Sequence, residues 1–463
     1  MEELRQVESE LDTRWPETKL EPSLDRIRAL ADILGDPQNT YPVVHIGGTN
    51  GKTSTSRMVD ALFTRIGLRT GRYTSPHLQL ATERISVDGA PISPERYVEI
   101  YRDVEPYLSI VDARGDVPMS KFEVLTGMAF AAFADAPVDV AVIEVGMGGS
   151  WDATNIADGR VAVITPIGLD HVEYLGGDLA GIAQEKAGII KPGAVALLAK
   201  QDAAAEQVLL RRCAEVDATV ARLGSEFGVI HRDIAVGGQM LRLQGLAGEY
   251  DEVFLPLHGA HQAANAALAL AAVEAFFGAG ADRQLDIDAV REAFATVTSP
   301  GRLERVRTAP TVLVDAAHNP HGAEALAKAL DEEFGFRKLV AVVGVMQEKD
   351  AVGILGALEP VVQEVVLTAN SSPRAMDPDL LAGVAIPIFG EDRMVVRPHL
   401  DDAIEEAVRL AEESDEGDIM SGGGVVVTGS VVTAGDARAL FGKEPSRPPH
   451  RRPRTSRRRG RTP

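Results

Sequence analysis

The segment VVHIGGTNGKTSTSRM, residues 43–58, constrains this chain more than any other. An apolar, β-branched run ends in glycines and is followed by Lys52 and Thr53. Met58, Ala61, Leu62, Arg65 and Ile66 then keep a helical spacing until Gly67 stops it. A strand, a tight turn and a helix in that order present backbone N–H groups and a helix N-terminus to an anion, with Lys52 in reach of β and γ phosphates. The usual spacing GxxxxGK(S/T) is not fully met, because Ile46 stands where the first glycine belongs. A plain glycine-rich turn satisfies the local pattern too. The concurrence of strand, turn, Gly-Lys-Thr and helix favours a nucleotide, with Thr53 available to a magnesium ion.

The runs VDVAVIEV (138–145), VAVITPI (161–167) and AVALLA (194–199) lack polar alternation. Such strands are expected in a parallel sheet covered by helices on both faces. Residues 24–34 space Leu24, Ile27, Leu30, Ala31 and Leu34 as one helical face closed by Gly35, and RISVDGAPIS reads as a hairpin turning at Asp88-Gly89. Ser299, Pro300 and Gly301 interrupt a helical pattern within TVTSPGRL, which predicts a hinge. Beyond it a second strand–loop–helix series begins with TVLVDAAHNPHG and continues through KLVAVVGV, EVVLTANSS and GVVVTGS. The expected architecture is α/β: an N-terminal P-loop NTPase-like domain over 1–298 with a mainly parallel sheet flanked by helices, a smaller C-terminal Rossmann-like α/β domain over 299–442, and a disordered Arg-rich tail over 443–463.

Charge narrows the partners. The net charge is −21, yet from residue 443 onward nine basic residues face the single acid Glu444, a local +8, so the rest stands at −29. An acidic body is a poor general ligand for nucleic acid. One cysteine, Cys213, excludes an internal disulfide, and no apolar run is long enough for a membrane span, so a cytoplasmic, monomeric protein with neither membrane nor nucleic-acid partners is expected.

Glu144 leaves an apolar strand into a glycine cluster, where a carboxylate has little reason to be buried unless it is paired or bound to metal. It is therefore a candidate magnesium ligand in the same sheet as the loop. Asp170 and His171 close the next strand, and Lys186 lies in a helical run fifteen residues on. Taken alone, each fits an ordinary structural or solvated residue.

In order along the chain, GTNGKTS (48–54), TSPHL (74–78), EVGMGGSWDATN (144–155), IGLDH (167–171), EKAGIIKPG (185–193), HQAANAALAL (261–270), PGRLE (300–304) and DAAHNPHG (315–322) resemble the motifs of folylpolyglutamate synthases and dihydrofolate synthases in the Mur ligase superfamily. The resemblance spans roughly residues 20–442. Thr53 stands where that family commonly has glycine, and Trp151 where it usually has leucine.

The resemblance implies an ATP-dependent ligase that joins L-glutamate to a reduced folate, and to dihydropteroate, through an acyl phosphate. It implies that Gly48, Thr49, Asn50, Gly51, Lys52 and Thr53 hold phosphate, that Ser75 and Glu144 bind one Mg²⁺, and that Glu144 and His171 bind a second. Lys186 resembles a lysine that is carbamylated in many relatives, and K⁺ is a further candidate cofactor. Asn265 is expected on the adenine side of ATP, Arg302 at phosphate and Asp315 at the ribose. His318 and Asn319 are expected to enter the cleft from the C-terminal half, while Arg84, Phe122 and Asp152 are candidates for the folate side. A cell-wall Mur ligase is the alternative, but only 47 residues precede Gly48, little room for the UDP-binding domain such enzymes carry. A nucleotide switch fits less well, since the guanine signature NKxD is missing.

Overall fold

The computed structural model describes residues 1–16, 21–278, 283–413 and 422–445, so the expected tail falls almost wholly outside the described residues. The first sheet contains β1 (Val43–Gly47), β2 (Thr70–Tyr73), β3 (Ile85–Val87), β4 (Ala90–Pro91), β5 (Val140–Glu144), β6 (Gly159–Ile164), β7 (Val195–Leu198) and β8 (Thr219–Arg222). Its order is β4-β3-β2-β5-β1-β6-β7-β8, parallel from β2 to β8, with the β3–β4 hairpin antiparallel at one edge. The hairpin turns at Asp88 and Gly89, both with positive φ, as its sequence predicts.

All five residues of β1 are buried. Val44 and Ile46 pack on one face with Met58, Leu62 and Phe63 of the helix Lys52–Ile66 and with the helix Ala260–Phe276. Val43 lies on the other face with Tyr73, Ile143 and the helices Pro94–Asp112 and Lys121–Asp135. The Ala260–Phe276 helix is buried almost all round, which its Ala- and Leu-rich sequence permits. β1 is flanked by β5 and β6, which both come later in the chain, so the sheet reverses direction at its carboxyl end. A ligand crevice belongs at such a switch point.

A small antiparallel sheet follows, β9 (Gly228–Ala235), β10 (Gly238–Gln244) and β11 (Glu249–Leu255), in the order β11-β10-β9. The last sheet contains β12 (Glu304–Thr308), β13 (Thr311–Val314), β14 (Lys338–Val343), β15 (Glu364–Leu367), β16 (Met394–Val396) and β17 (Gly423–Thr428). Its order is β12-β13-β17-β14-β15-β16, parallel except for β12. Helices cover both faces and form two separate core clusters. Among the described residues, no helix is long and apolar enough to cross a membrane.

One polar side chain is sealed inside the central strand. His45 is fully buried, its Nε2 lies 2.9 Å from Thr154 Oγ1, and its Nδ1 has no partner. Burial, helped by the charge of Lys191, pushes its pKa down to about 3. The folded state therefore prefers neutral imidazole, whereas the unfolded chain takes up a proton near pH 6.5. This contribution is fully present above pH 6.5 and is lost as pH falls toward 3, at up to about 1.4 kcal/mol per pH unit. Urea denaturation across that window should show a steeper loss of stability for the native chain than for His45→Gln; equal slopes would show that the imidazole is not held neutral.

Candidate functional site

The carboxyl edges of the two large sheets face one another across a cavity of about 280 Å³. Its floor is the loop between β1 and the Lys52–Ile66 helix. Gly48 has φ +131° and packs so tightly on Thr165 that a Cβ would overlap that side chain, so only glycine fits. Gly51, with φ +91°, lies under the Asn265 carboxamide, whose Oδ1 would stand 2.7 Å from an added Cβ. Asn265 in turn donates to Gln262, and Gln262 reaches Ser54. Thus the buried Ala260–Phe276 helix braces the loop from behind.

Lys52 curls back over the loop, its Nζ donating to the carbonyls of Gly48 (3.1 Å) and Thr49 (3.0 Å). Burial lowers its pKa, while the charges of Glu144 and Asp170 oppose that shift. Register pairs Glu144 at the end of β5 with Ile46, which delivers its carboxylate beneath the loop. Thr53 Oγ1 donates to Glu144 Oε1 at 2.9 Å. Burial pushes the Glu144 carboxyl up to about 7 despite the nearby Lys52 charge, and Oε2 has no hydrogen-bond partner. A buried carboxylate oxygen without a partner, next to a threonine hydroxyl and with Ser75 lining the same cavity, fits a magnesium ion that takes few protein ligands and completes its shell with water and phosphate.

Lys186 donates to the Gly48 carbonyl at 2.9 Å. Burial and the adjacent Lys52 charge push its pKa down to about 7, so the amine is neutral for much of the time near neutrality. His171 has φ 52° at the start of a single helical turn, Val172–Leu175, and burial pushes its imidazole down to about 3 in spite of Asp170.

Asp170 joins the two halves. Lys349 Nζ reaches its Oδ1 at 2.5 Å, Asn319 Nδ2 donates to Oδ2 at 3.1 Å, and His318 Nε2 stands 3.4 Å from Oδ2. Burial raises the carboxyl, but His318, His171 and Lys349 together hold it well below the usual carboxylate range. Beside this contact, Asn50 of the loop and Asn319 exchange side-chain hydrogen bonds of 3.0 and 3.1 Å, and Asn50 also meets His321 at 2.8 Å. Asn319 at the same time caps the helix Pro320–Glu333 through the Gly322 N–H.

Residues 118–273 match the Mur ligase middle domain and residues 301–430 the Mur ligase glutamate ligase domain. A Mycobacterium tuberculosis protein named dihydrofolate synthase/folylpolyglutamate synthase is 60% identical over 460 residues, covering 96% of this chain and 94% of that protein. The chain belongs to the folylpolyglutamate synthase/dihydrofolate synthase family. Its fold matches the M. tuberculosis folylpolyglutamate synthase complexed with ADP at a TM-score of 0.92 and 59% identity, over 96% of this chain and 99% of the other. It also matches Escherichia coli FolC in complex with DHPP and ADP at 0.82 and 29% identity, over 95% and 97%. The protein is an enzyme of the Mur ligase type.

Around this cavity the structure gathers Gly48 to Thr53, Ser75, Glu144, His171, Lys186, Asn265, Arg302, Asp315 and His318 as lining residues, with His261 beside them. Three folate-side expectations are placed elsewhere. Asp152 is buried and does not line this cavity; its carboxylate is taken up by the N–H groups of Met147 and Thr154 and by the Thr154 hydroxyl, so it shapes the 146–155 loop. Arg84 is buried and donates to His77 Nδ1 at 3.0 Å, leaving His77 and Glu83 as the cleft-lining residues of that segment. Phe122 is partly buried and packs against the cavity-lining Gly146, where a Cβ would run into its ring, with its ring centroid 6.1 Å from that of Tyr73. Asp315 does line the cavity, but both its oxygens accept backbone N–H bonds, from Leu303 (2.9 Å) and Ala317 (2.8 Å), so it anchors the segment bearing Arg302. The sequence did not mark Lys349, His321 or Gln262. Lys349 follows the carboxyl end of β14, the position where the strand-edge rule would have found it.

The Asp170–Lys349 pair is nearly buried on both sides, at 8% and 10% side-chain exposure. Removing one partner leaves the other charge uncompensated, so Lys349→Ala should cost about 3 kcal/mol in urea denaturation. Lys349→Ala combined with Asp170→Asn should cost less than the two single changes added together; strict additivity would show that the pair is not coupled.

Proposed function

We propose that this chain adds L-glutamate to reduced folates and also to dihydropteroate, activating the acceptor carboxylate with ATP. Glu144 carries the reading: it is a carboxylate buried beneath a phosphate loop, with one oxygen on Thr53 and the other free for a cation. ATP phosphates would rest on the N–H groups of residues 48–53 at the N-terminus of the Lys52–Ile66 helix, with Lys52 and Arg302 as countercharges. Thr53, Ser75, Glu144 and His171 are proposed to hold Mg²⁺, which when bound neutralises phosphate oxygens. An acceptor carboxylate oxygen attacks the γ phosphorus, the bond to the β-bridging oxygen breaks, and ADP leaves with that electron pair. The glutamate amine then attacks the acyl carbon, phosphate departs, and the amine loses a proton to complete the amide.

Such chemistry asks for positioning and charge neutralisation and not for a protein nucleophile. Lysines and arginines facing one cavity from both halves supply these, so residues 1–298 and 299–442 are proposed to act as the two jaws of the site. Lys186, whose pKa burial brings down to about 7, holds a substantial neutral fraction near neutrality and is chemically suited to carbamylation: the neutral nitrogen adds CO₂ and releases a proton, which would place an anion next to Lys52. Its buried place 2.9 Å from the Gly48 carbonyl supports that reading. A monomeric cytoplasmic enzyme is proposed.

Purified protein given MgATP and labelled glutamate should release ADP and form a labelled amide with tetrahydrofolate and with dihydropteroate, tested separately. Absence of ADP release with both acceptors would sink the proposal. Lys52→Ala should lower turnover by on the order of 100-fold or more while leaving the thermal midpoint nearly unchanged. Deleting residues 446–463 should leave turnover intact, and its collapse would favour a role for the basic tail in the reaction.

A further inference from the structure

One cation in the cleft has no place in the scheme above. Arg57 lies on the Lys52–Ile66 helix, one turn beyond Thr53, and lines the same cavity as Ser75, Glu144 and Arg302. The other arginines on this side of the sheet are engaged. Arg72 is buried with Asp60 at 2.7 Å and Ser86 at 2.8 Å, and Arg84 donates to His77. Arg57 forms no ion pair among the described residues, and its recorded hydrogen bond is a long one, 3.4 Å, to the carbonyl of Thr298 next to the Ser299–Gly301 turn.

Glu83, Asp60 and Glu144 are near enough for Arg57 to feel their charge, but none forms an ion pair with it among the described residues. Glu83 accepts the N–H groups of Leu78, Gln79 and Leu80. Asp60 accepts from Thr70 and Arg72, and Glu144 from Thr53. Burial and the charge of Arg72 push the Arg57 guanidinium down to about 9, although the side chain keeps partial access to solvent at the cleft. What completes such a group is an anion brought by a ligand.

Three kinds of anion meet in this cleft in the proposed reaction: the nucleotide phosphates, the acceptor carboxylate and the carboxylates of the incoming L-glutamate. The nucleotide phosphates belong to the loop N–H groups and Lys52 at the start of the helix. Arg57 stands five residues further along, a displacement of roughly 7.5 Å down the helix axis. It shares its helix face with Asp60, which contacts β2, so it is turned toward the segment that carries Ser75 and His77. We propose that Arg57 binds the acceptor carboxylate that is to be phosphorylated, an inference that rests on the ligase reading above. A guanidinium can take both oxygens of a carboxylate in one plane, which fixes the orientation of the attacking oxygen. It also offsets the repulsion between that carboxylate and the γ phosphate, a task left over once Lys52 is committed to the nucleotide.

The test is steady-state kinetics of Arg57→Ala and Arg57→Lys with tetrahydrofolate and with dihydropteroate, alongside calorimetric titration with ADP. Loss of one charge-assisted carboxylate contact should raise KM for both acceptors roughly 10- to 100-fold. ADP affinity should stay within about twofold of the native value, which also reports an intact fold, and lysine should recover part of the loss. Unchanged acceptor KM overturns the proposal, and a rise confined to the KM for L-glutamate overturns it too, because that would assign Arg57 to the incoming amino acid. So does a parallel fall in ADP affinity, which would assign Arg57 to the nucleotide. A KM rise confined to the folate, with dihydropteroate unaffected, also overturns it, because only the folate has a second carboxylate for Arg57 to hold. Native protein inactive with both acceptors would instead defeat the ligase reading itself.

Discussion

The structure turns on a carboxylate placed where a carboxylate should not be. Glu144 sits at the buried end of a strand, under the loop, with one oxygen satisfied by Thr53 and the other by nothing. An isolated buried charge is too costly to keep, so the group either holds a proton or meets a cation. That tension explains the surroundings. Lys52 lies close enough to oppose the shift, Arg302 adds to it from the C-terminal half, and the glycine turns bring main-chain donors to the same place. A pre-formed shortage of positive charge invites a divalent cation together with the phosphates that carry it.

Closure of the cleft follows from the same economy of buried charge. Asp170 is shared among Lys349, His318 and Asn319, all from beyond residue 300, so the carboxyl edge of the first sheet is tied to the second by a charge that neither could bury alone. Asn319 serves three structures at once: the cap of its own helix, the Asn50 amide and Asp170. A change at that residue therefore reaches the loop and the closure contact together.

The parts of this arrangement that were legible in the sequence are those whose chemistry is local. The loop, the strand ending in Glu144 and the turn at Ser299–Gly301 each announce themselves within about ten residues, and the ordered motifs placed Lys186 and Arg302 in the cavity. Asp170 was visible as a strand-edge acid, but its meaning depends on Lys349, 179 residues away, and no local pattern carries that information. The local role of Asp152 was hidden for a related reason: an aspartate after glycines can face a ligand or cap its own turn, and only the folded loop shows that Thr154 and Met147 hold it. The β9–β11 sheet escaped notice because β9 leaves its apolar Val229, Ile230 and Ile234 exposed, out of step with the alternation by which a half-buried antiparallel strand is recognised.

The Asn50–Asn319 amide pair adds a consequence of its own. Side-chain amides carry no net charge, so ions in solution screen them little, and the Asp170–Lys349 ion pair beside them is too nearly buried for salt to reach it freely. The two halves are thus held by two contacts that both keep their strength across ordinary ionic conditions. Loop and C-terminal half keep their register whatever the salt of the medium.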